Sequence, residues 1–265
     1  MPKRFLLIPL ISLFFLTTLS CSRKDLSLSS ESAVLISPLT KRIVYSKNPH
    51  LRLPPASTTK IMTALVVLKN SHLEKKVAVS RFASSMEASK VYIKEREAYL
   101  MEDLLKALLL NSGNDASVAL AEGVAGSEEE FVNMMNETAQ TIGAKNTNFK
   151  NSNGLPAEGQ YSTAYDLALI VREAMKYRKF AEIVKMKEDE IEEVNSGRKI
   201  KLKNHNKSLW NDTPYMISGK TGYTKKARHC FAGYIQYNRW RKVIVVILKS
   251  GSLWKDLELL AEARF

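Results

Sequence analysis

The sequence predicts an α+β fold built on one antiparallel sheet. Three observations predict it: short apolar runs at both ends of the chain, helical periodicity through the middle, and polar turn signals between them. The two chain ends would pair into one sheet, the helical region would be inserted between them, and a cleft would open between the parts.

Residues 1–21 stand apart. Lys3 and Arg4 precede an apolar run over 5–19, which ends in Leu19-Ser20-Cys21-Ser22. This reads as an export signal, too short for a comfortable membrane span. The small residue before Cys21 also fits lipoprotein processing, which would make Cys21 a lipidated first residue and an N-terminal membrane anchor. Residues 22–31 are polar and Ser-rich and read as a linker, which leaves 32–265 as the folded domain.

Runs over 33–36 and 42–45 flank Ser37-Pro38-Leu39-Thr40 and predict a hairpin. Pro54-Pro55 breaks the chain. Ile61, Met62, Leu65, Val66 and Leu68 then recur at helical spacing, so a buried helix begins near Ser57. Helices are predicted over 101–110 and 116–124, on either side of Asn111-Ser112-Gly113-Asn114, and again over 131–142 and 166–175. Residues 145–162, rich in Asn and Gly, form a long loop. The charged stretch 186–204 reads as two exposed strands around Asn195-Ser196-Gly197. Strands over 231–237 and 242–249 meet at Asn238-Arg239, and a last helix covers 253–263.

Of the 265 residues, 45% are hydrophobic and 25% charged, enough to bury a core without staples. The net charge of +13 comes from scattered lysines and arginines, with no basic-aromatic array of the kind nucleic-acid binders use. For an exported chain, an anionic membrane surface or wall polymer is the better partner, and no nucleic acid is expected. Only Cys21 and Cys230 are present, so no internal disulfide framework exists; Cys230 precedes an apolar run and reads as a small core residue. His50, His72, His205 and His229 show no paired spacing, and no His-Glu-x-x-His occurs, so neither a metal nor another cofactor is expected.

Three short motifs carry chemistry. The pattern Ser-x-x-Lys occurs at Ser57/Lys60, Ser196/Lys199 and Ser252/Lys255, so by itself it decides nothing. Only Ser57 stands directly before a buried helix, where a lysine three residues on shares its face and where free N–H groups could stabilise an oxyanion. Alone, even this copy reads better as a capping serine followed by a solvated lysine. Ser112-Gly113-Asn114 lies between apolar flanks, so its polar groups should face a cavity; helix capping is the competing reading. In Ser218-Gly219-Lys220-Thr221-Gly222-Tyr223-Thr224, Lys220 and Thr221 offer a cation and a hydroxyl to a carboxylate, and Gly222 permits close backbone approach.

Weak singly, the three motifs in this order resemble the penicillin-recognising serine enzymes, with their β-lactamase/transpeptidase-like fold and active site in the cleft. The longer context resembles the D-alanyl-D-alanine carboxypeptidases among the low-molecular-mass penicillin-binding proteins: residues 55–65, 112–116, 120–122, Asn153-Gly154-Leu155, Ser162-Thr163, 166–168 and 219–224. The resemblance implies a serine-type D-Ala-D-Ala carboxypeptidase acting on peptidoglycan stem peptides and inhibited by β-lactams. It implies Ser57 as nucleophile, Lys60 as its base and Ser112 as proton relay. Asn114, Lys220, Thr221, Gly222 and Tyr223 would bind substrate, with the Ser57 and Tyr223 N–H groups as oxyanion hole. A low pKa for Lys60, through burial beside Lys220, is part of that expectation.

The larger family members add a C-terminal β-rich domain and anchor; with the last strand followed so soon by Phe265, neither is expected here. They also often carry an arginine where this chain has Gly251-Ser252-Leu253-Trp254-Lys255-Asp256. Three other functions compete. A class A β-lactamase would need a deacylating glutamate, and Glu158 is the only acid in the matching loop. A DD-endopeptidase would cut cross-links with the same machinery. A non-catalytic penicillin-binding sensor or wall-binding lipoprotein would keep the motifs without turnover.

Overall fold

The computed structural model describes residues 26–263, so the export signal and Cys21 lie outside the described residues. Its centre is a five-stranded antiparallel sheet. Two strands come from the N-terminal end: β1 (Ser32–Ile36) and β2 (Ile43–Lys47). Three come from the C-terminal end: β7 (Met216–Thr224), β8 (Arg228–Gln236) and β9 (Lys242–Ser250). The spatial order is β2-β1-β9-β8-β7, and β1 joins the two halves by pairing with β9, Ala33 opposite Ile247 and Ile36 opposite Ile244.

The alternation of β1 and β9 explains why both are buried throughout. Val34, Ile36, Ile244, Val246 and Leu248 face the inserted helices, while Ala33, Leu35, Val243, Val245 and Ile247 face the last helix, α8 (Leu253–Glu262). A strand covered on both faces has no polar side, so its sequence is a continuous apolar run.

The insertion is mostly helical. Helix α1 (Lys60–Asn70) is apolar all round and lies inside the helical layer. Around it pack α3 (Met101–Leu110), α4 (Asn114–Ala125), α5 (Glu128–Ile142) and α6 (Ala164–Ala174). Their starts are chemically marked. Ser127 caps α5 by accepting from the Glu130 N–H at 3.1 Å, and Thr163 caps α6 by accepting from the Asp166 N–H at 3.0 Å. Gly143 closes α5 in the left-handed region.

Several small elements were not foreseen. Strands β3 (Lys76–Ala78) and β4 (Ala98–Leu100) pair with each other, and helices α2 (Arg81–Ser85) and α7 (Arg178–Ile183) are single short turns. Elements this short carry no full period of hydrophobic pattern. The charged hairpin β5 (Glu188–Glu192) and β6 (Lys199–Lys203) matches the expectation for 186–204, with acids opposite lysines across the pair. The largest difference is β7. Its Met-Ile-Ser-Gly-Lys-Thr-Gly-Tyr-Thr has no apolar alternation, because it is an edge strand whose free side lines the cleft.

The linker reading of 22–31 also needs correction for its described part. Leu28 is buried beside α8, and the N–H and hydroxyl of Ser29 donate to the Asp256 carboxylate at 2.8 and 2.9 Å. Ser250 donates to the same carboxylate at 2.8 Å. The serines that looked like linker composition supply the hydroxyls a buried carboxylate needs. Asp256→Ala is expected to cost about 2–3 kcal/mol by leaving these donors unpaired, measured as a lower urea midpoint with unchanged slope.

Candidate active site

Ser57 lies in a single 3₁₀ turn, Ala56–Thr59, that runs directly into α1. Pro54 and Pro55 fix the approach, and Ala56 holds a positive φ of 49°, an uncommon state for a residue with a Cβ. Lys60 opens α1, and its side chain is fully buried. Its Nζ reaches three oxygens: Asn114 Oδ1 at 2.7 Å, the Asn153 carbonyl at 2.7 Å and Ser57 Oγ at 3.1 Å.

Those distances have a chemical consequence. A neutral lysine amine has two N–H groups and one lone pair. The two close oxygens belong to an amide and a backbone carbonyl, which only accept, so they take the two N–H groups. The lone pair is then left toward the Ser57 hydroxyl. Lys60 is held well below its usual pKa, first by burial and then by the charge of Lys220, against a smaller opposing pull from Asp115. Burial and the neighbouring charge thus shift Lys60 toward the neutral form that can accept the Ser57 proton.

Each partner of Lys60 is fixed by its own surroundings. Asn114 is the first residue of α4, and its amide also donates to the Glu87 carbonyl at 2.9 Å. Ser112, just before that helix, holds a φ of 61° and is nearly buried. Asp115, the second residue of α4, accepts from the Val91 N–H at 3.0 Å, which ties the 88–93 segment to the helix. The Asn153 carbonyl sits on a loop bonded to α1 by Thr63, to α4 by Ser117, and to α5 by Glu128, which accepts from the Ser152 N–H at 2.9 Å.

The fourth wall is the free edge of β7. Lys220 is buried below it, where burial brings its pKa down to about 7, and its ammonium donates to the Thr221 carbonyl at 2.9 Å. Gly222 faces the Ser57 turn so closely that a Cβ there would stand 2.8 Å from the Ser57 nitrogen. Tyr223 is exposed and stacks at 4.7 Å on His229 of β8. Ser57, Ser112, Asn114, Thr221, Gly222 and Tyr223 line one cavity of about 330 Å³, with Lys60 and Lys220 buried at its base. All eight residues singled out in the sequence thus meet at one place.

Others on that cavity had been given no role: Ala88, Ser89, Leu155, His205, Lys207, His229 and Trp254. His205 and Lys207 had one usable signal, the polar run between β6 and β7; Ala88 and Ser89 had none, because long-range bonds to Asn111, Asn114 and Asp115 bring them in. Lys255 lines a neighbouring cavity instead, and so does Glu158. Cys230 is fully buried, and burial pushes its thiol up to about 12, which leaves it unreactive.

Comparison with known proteins decides the family. The family model described as D-alanyl-D-alanine carboxypeptidase matches residues 19–251. The chain belongs to the D-alanyl-D-alanine carboxypeptidase family. It is 40% identical to the Bacillus subtilis D-alanyl-D-alanine carboxypeptidase DacF over 227 residues, covering 84% of this chain and 58% of that protein. It is 35% identical to DacD of Escherichia coli, covering 74% of this chain and 52% of the relative. The chain thus spans little more than half the length of these two carboxypeptidases. Among solved structures, a Mycobacterium tuberculosis D-alanyl-D-alanine carboxypeptidase superposes with a TM-score of 0.82 at 28% identity, covering 89% of this chain and 91% of that one. A Streptomyces DD-transpeptidase variant gives 0.82 at 28% identity, covering 90% and 97%. The β-lactamase/transpeptidase-like fold expected from the motifs is the fold observed.

The contact at Gly222 gives a direct test of how tightly β7 meets the Ser57 turn. Gly222→Ala is expected to fold but to lose covalent labelling by fluorescent penicillin by about 10²-fold or more, measured as the labelling rate at fixed pH.

Proposed function

We propose that the chain is a serine-type D-Ala-D-Ala carboxypeptidase acting on peptidoglycan stem peptides. The observation that carries this reading is the buried Lys60 amine, held by Asn114 and the Asn153 carbonyl with its nitrogen 3.1 Å from Ser57 Oγ. Ser57 attacks the carbonyl of the penultimate D-alanine as Lys60 takes its proton. The tetrahedral oxygen is held by the Ser57 and Tyr223 N–H groups, a device typically worth about 10²–10³ per donor. The proton passes through Ser112 to the leaving amine, the C–N bond breaks, and D-alanine departs with its carboxylate bound by Thr221 and the Lys220 ammonium. Asn114 holds the substrate amide. Water, deprotonated by Lys60, then opens the ester on Ser57 and releases the shortened peptide.

β-Lactams would enter the same cycle and stall. No Asp or Glu of the described residues lines the Ser57 cavity, so no carboxylate base of the β-lactamase kind faces the acyl-enzyme. The penicilloyl group also keeps its ring-opened leaving group in place. Slow turnover of nitrocefin is the expected behaviour, and rapid hydrolysis would argue for a β-lactamase.

A second reading, cleavage of peptide cross-links, is favoured by one feature. A cavity of about 670 Å³, lined by Asn111, Trp210 and Asn211, adjoins the site at His205 and Lys207, next to Asn111, the sequence neighbour of Ser112. Free D-alanine does not need that space; a departing peptide would. Mass spectrometry of products from uncross-linked and cross-linked muropeptides decides between them.

We also infer that the chain acts outside the cytoplasm. The supporting feature is the leader of residues 1–21, with a lipid on Cys21 as anchor. Residues 32–265 would be one catalytic domain.

Fluorescent penicillin should label the wild-type protein covalently and leave Ser57→Ala unlabelled; a folded wild type that takes no label would favour a sensor. The pH dependence tests the roles of the lysines. With its pKa lowered to about 7, Lys220 loses its charge as pH rises through that value, so kcat/KM for the peptide should fall above it. In Lys220→Arg, whose guanidinium stays charged, that falling limb should vanish.

A further inference from the structure

Two large apolar side chains are more exposed than any others of the described residues, and they lie together. Leu39 and Trp240 are both 85% exposed. Leu39 is in the turn between β1 and β2, and Trp240 is in the turn between β8 and β9. Because Ile36 pairs with Ile244, the chain leaving β1 and the chain entering β9 run side by side about 5 Å apart. The two turns therefore project from the same end of the sheet as neighbours.

Both tips are built rather than frayed. Asn238 Oδ1 accepts from the Trp240 and Arg241 N–H groups at 2.9 and 2.8 Å, an Asx-type closure. In the other turn the Ser37 N–H donates to the Arg42 carbonyl at 2.9 Å, and Arg172 Nε of α6 donates to the Pro38 carbonyl at 2.7 Å. Residues 37–42 and 237–242 carry five cations, Lys41, Arg42, Arg239, Arg241 and Lys242, and no acid. The Arg239 guanidinium lies 4.9 Å over the Trp240 ring, and that of Arg241 5.0 Å over Tyr237.

We propose that these two hairpin tips dock on an anionic lipid surface, with Leu39 and Trp240 in the headgroup region and the five surrounding cations on lipid phosphates. The chemistry matches that partner. Tryptophan favours the membrane interface, where its ring meets both apolar and polar groups, and lysines and arginines beside it are attracted to anionic headgroups. An anionic wall polymer would use the cations but has no place for an exposed leucine and tryptophan.

The docking sets the direction of the active site. The tips lie at the Met216 end of β7, and Gly222 lies about 20 Å farther along that strand. With the tips in the interface, the Ser57 cavity is held away from the membrane. Leu28 and Ser29 lie by Lys47 and Ser250, at the opposite end of the sheet from the tips and about 27 Å along β9, so this docking does not rely on an anchor at Cys21.

The test uses the full chain in proteoliposomes containing brominated lipids, which quench only tryptophans that enter the bilayer interface. In vesicles with brominated phosphatidylglycerol, the wild type should show quenching that is absent in Trp240→Phe. Arg239→Gln/Arg241→Gln should reduce the quenching toward the Trp240→Phe level. Vesicles in which only neutral phosphatidylcholine is present, brominated alike, should quench less. Circular dichroism would verify that the variants, all at exposed positions, remain folded. Equal quenching in wild type and Trp240→Phe would overturn the proposal. So would concentration-dependent dimers that need Trp240 and show no lipid quenching, because the occupant would then be a second copy of the chain. Displacement of the tips from vesicles by soluble polyphosphate, with Trp240 unquenched beforehand, would assign the patch to wall polymer instead.

Discussion

The structure depends on the burial of one lysine amine. Lys60 is out of contact with water and yet carries a polar nitrogen that must be satisfied, so its oxygens have to be brought to it. One comes from the turn before α1, one from the first residue of α4 and one from the loop at Asn153. Three segments distant in sequence are thereby fixed relative to one another to within a hydrogen-bond length. The helical layer and the Ser57 turn cannot move apart without leaving a buried nitrogen unpaired, which is a costly state.

The same convergence explains the backbone geometry around it. Ala56 and Ser112 both occupy positive φ, Ala56 directly before Ser57 and Ser112 two residues before Asn114, both contacts of Lys60. Gly154 follows Asn153 at a φ of +86°, and a Cβ there would come within 2.0 Å of the Ala56 carbonyl. Gly222 approaches from the sheet side with no more room. The site is thus four backbones drawn together around two lysines. Conformations that would be unfavourable elsewhere persist because packing on every side determines them.

This division also separates what was legible in the sequence from what was not. The helices over 101–110 and 131–142 follow from their period and the strand over 242–249 from its unbroken apolar run, because one face of each helix and both faces of the strand meet the core. Ser57 could be distinguished from Ser196 and Ser252 because only it precedes a fully apolar helix. By contrast, β7 was legible as a motif and illegible as a strand: its residues are chosen by the cleft, not by the core, so alternation is lost where chemistry is placed. The Asn153 carbonyl was out of reach for a different reason. It is a backbone atom, and its position depends on the side chains of Thr63, Ser117 and Glu128, which contact the loop from three helices. Likewise the docking of Ser29 on Asp256 joins two residues at opposite ends of the chain, and nothing local in a run of serines marks it.

The electrostatics of the cavity follow from the same lysines. Its lining carries no acid among the described residues, while Lys60 and Lys220 lie beneath it and Lys207 on its wall. His205 is pushed down to about 4 by burial and by both buried lysines, so it is neutral near pH 7. The free site is therefore short of negative charge, and burial keeps the pKa values of both lysines low, offset for Lys60 only in part by Asp115. In the proposed reaction a substrate carboxylate at Thr221 would give Lys220 a counter-ion, raising its pKa and favouring its charged form. A charged Lys220 in turn disfavours a proton on Lys60, since the charge on Lys220 is already one of the causes that lower the pKa of Lys60. In the proposed reaction the substrate's own terminus thus drives the two lysines apart, one toward the cation that holds it and the other toward the free amine that activates Ser57.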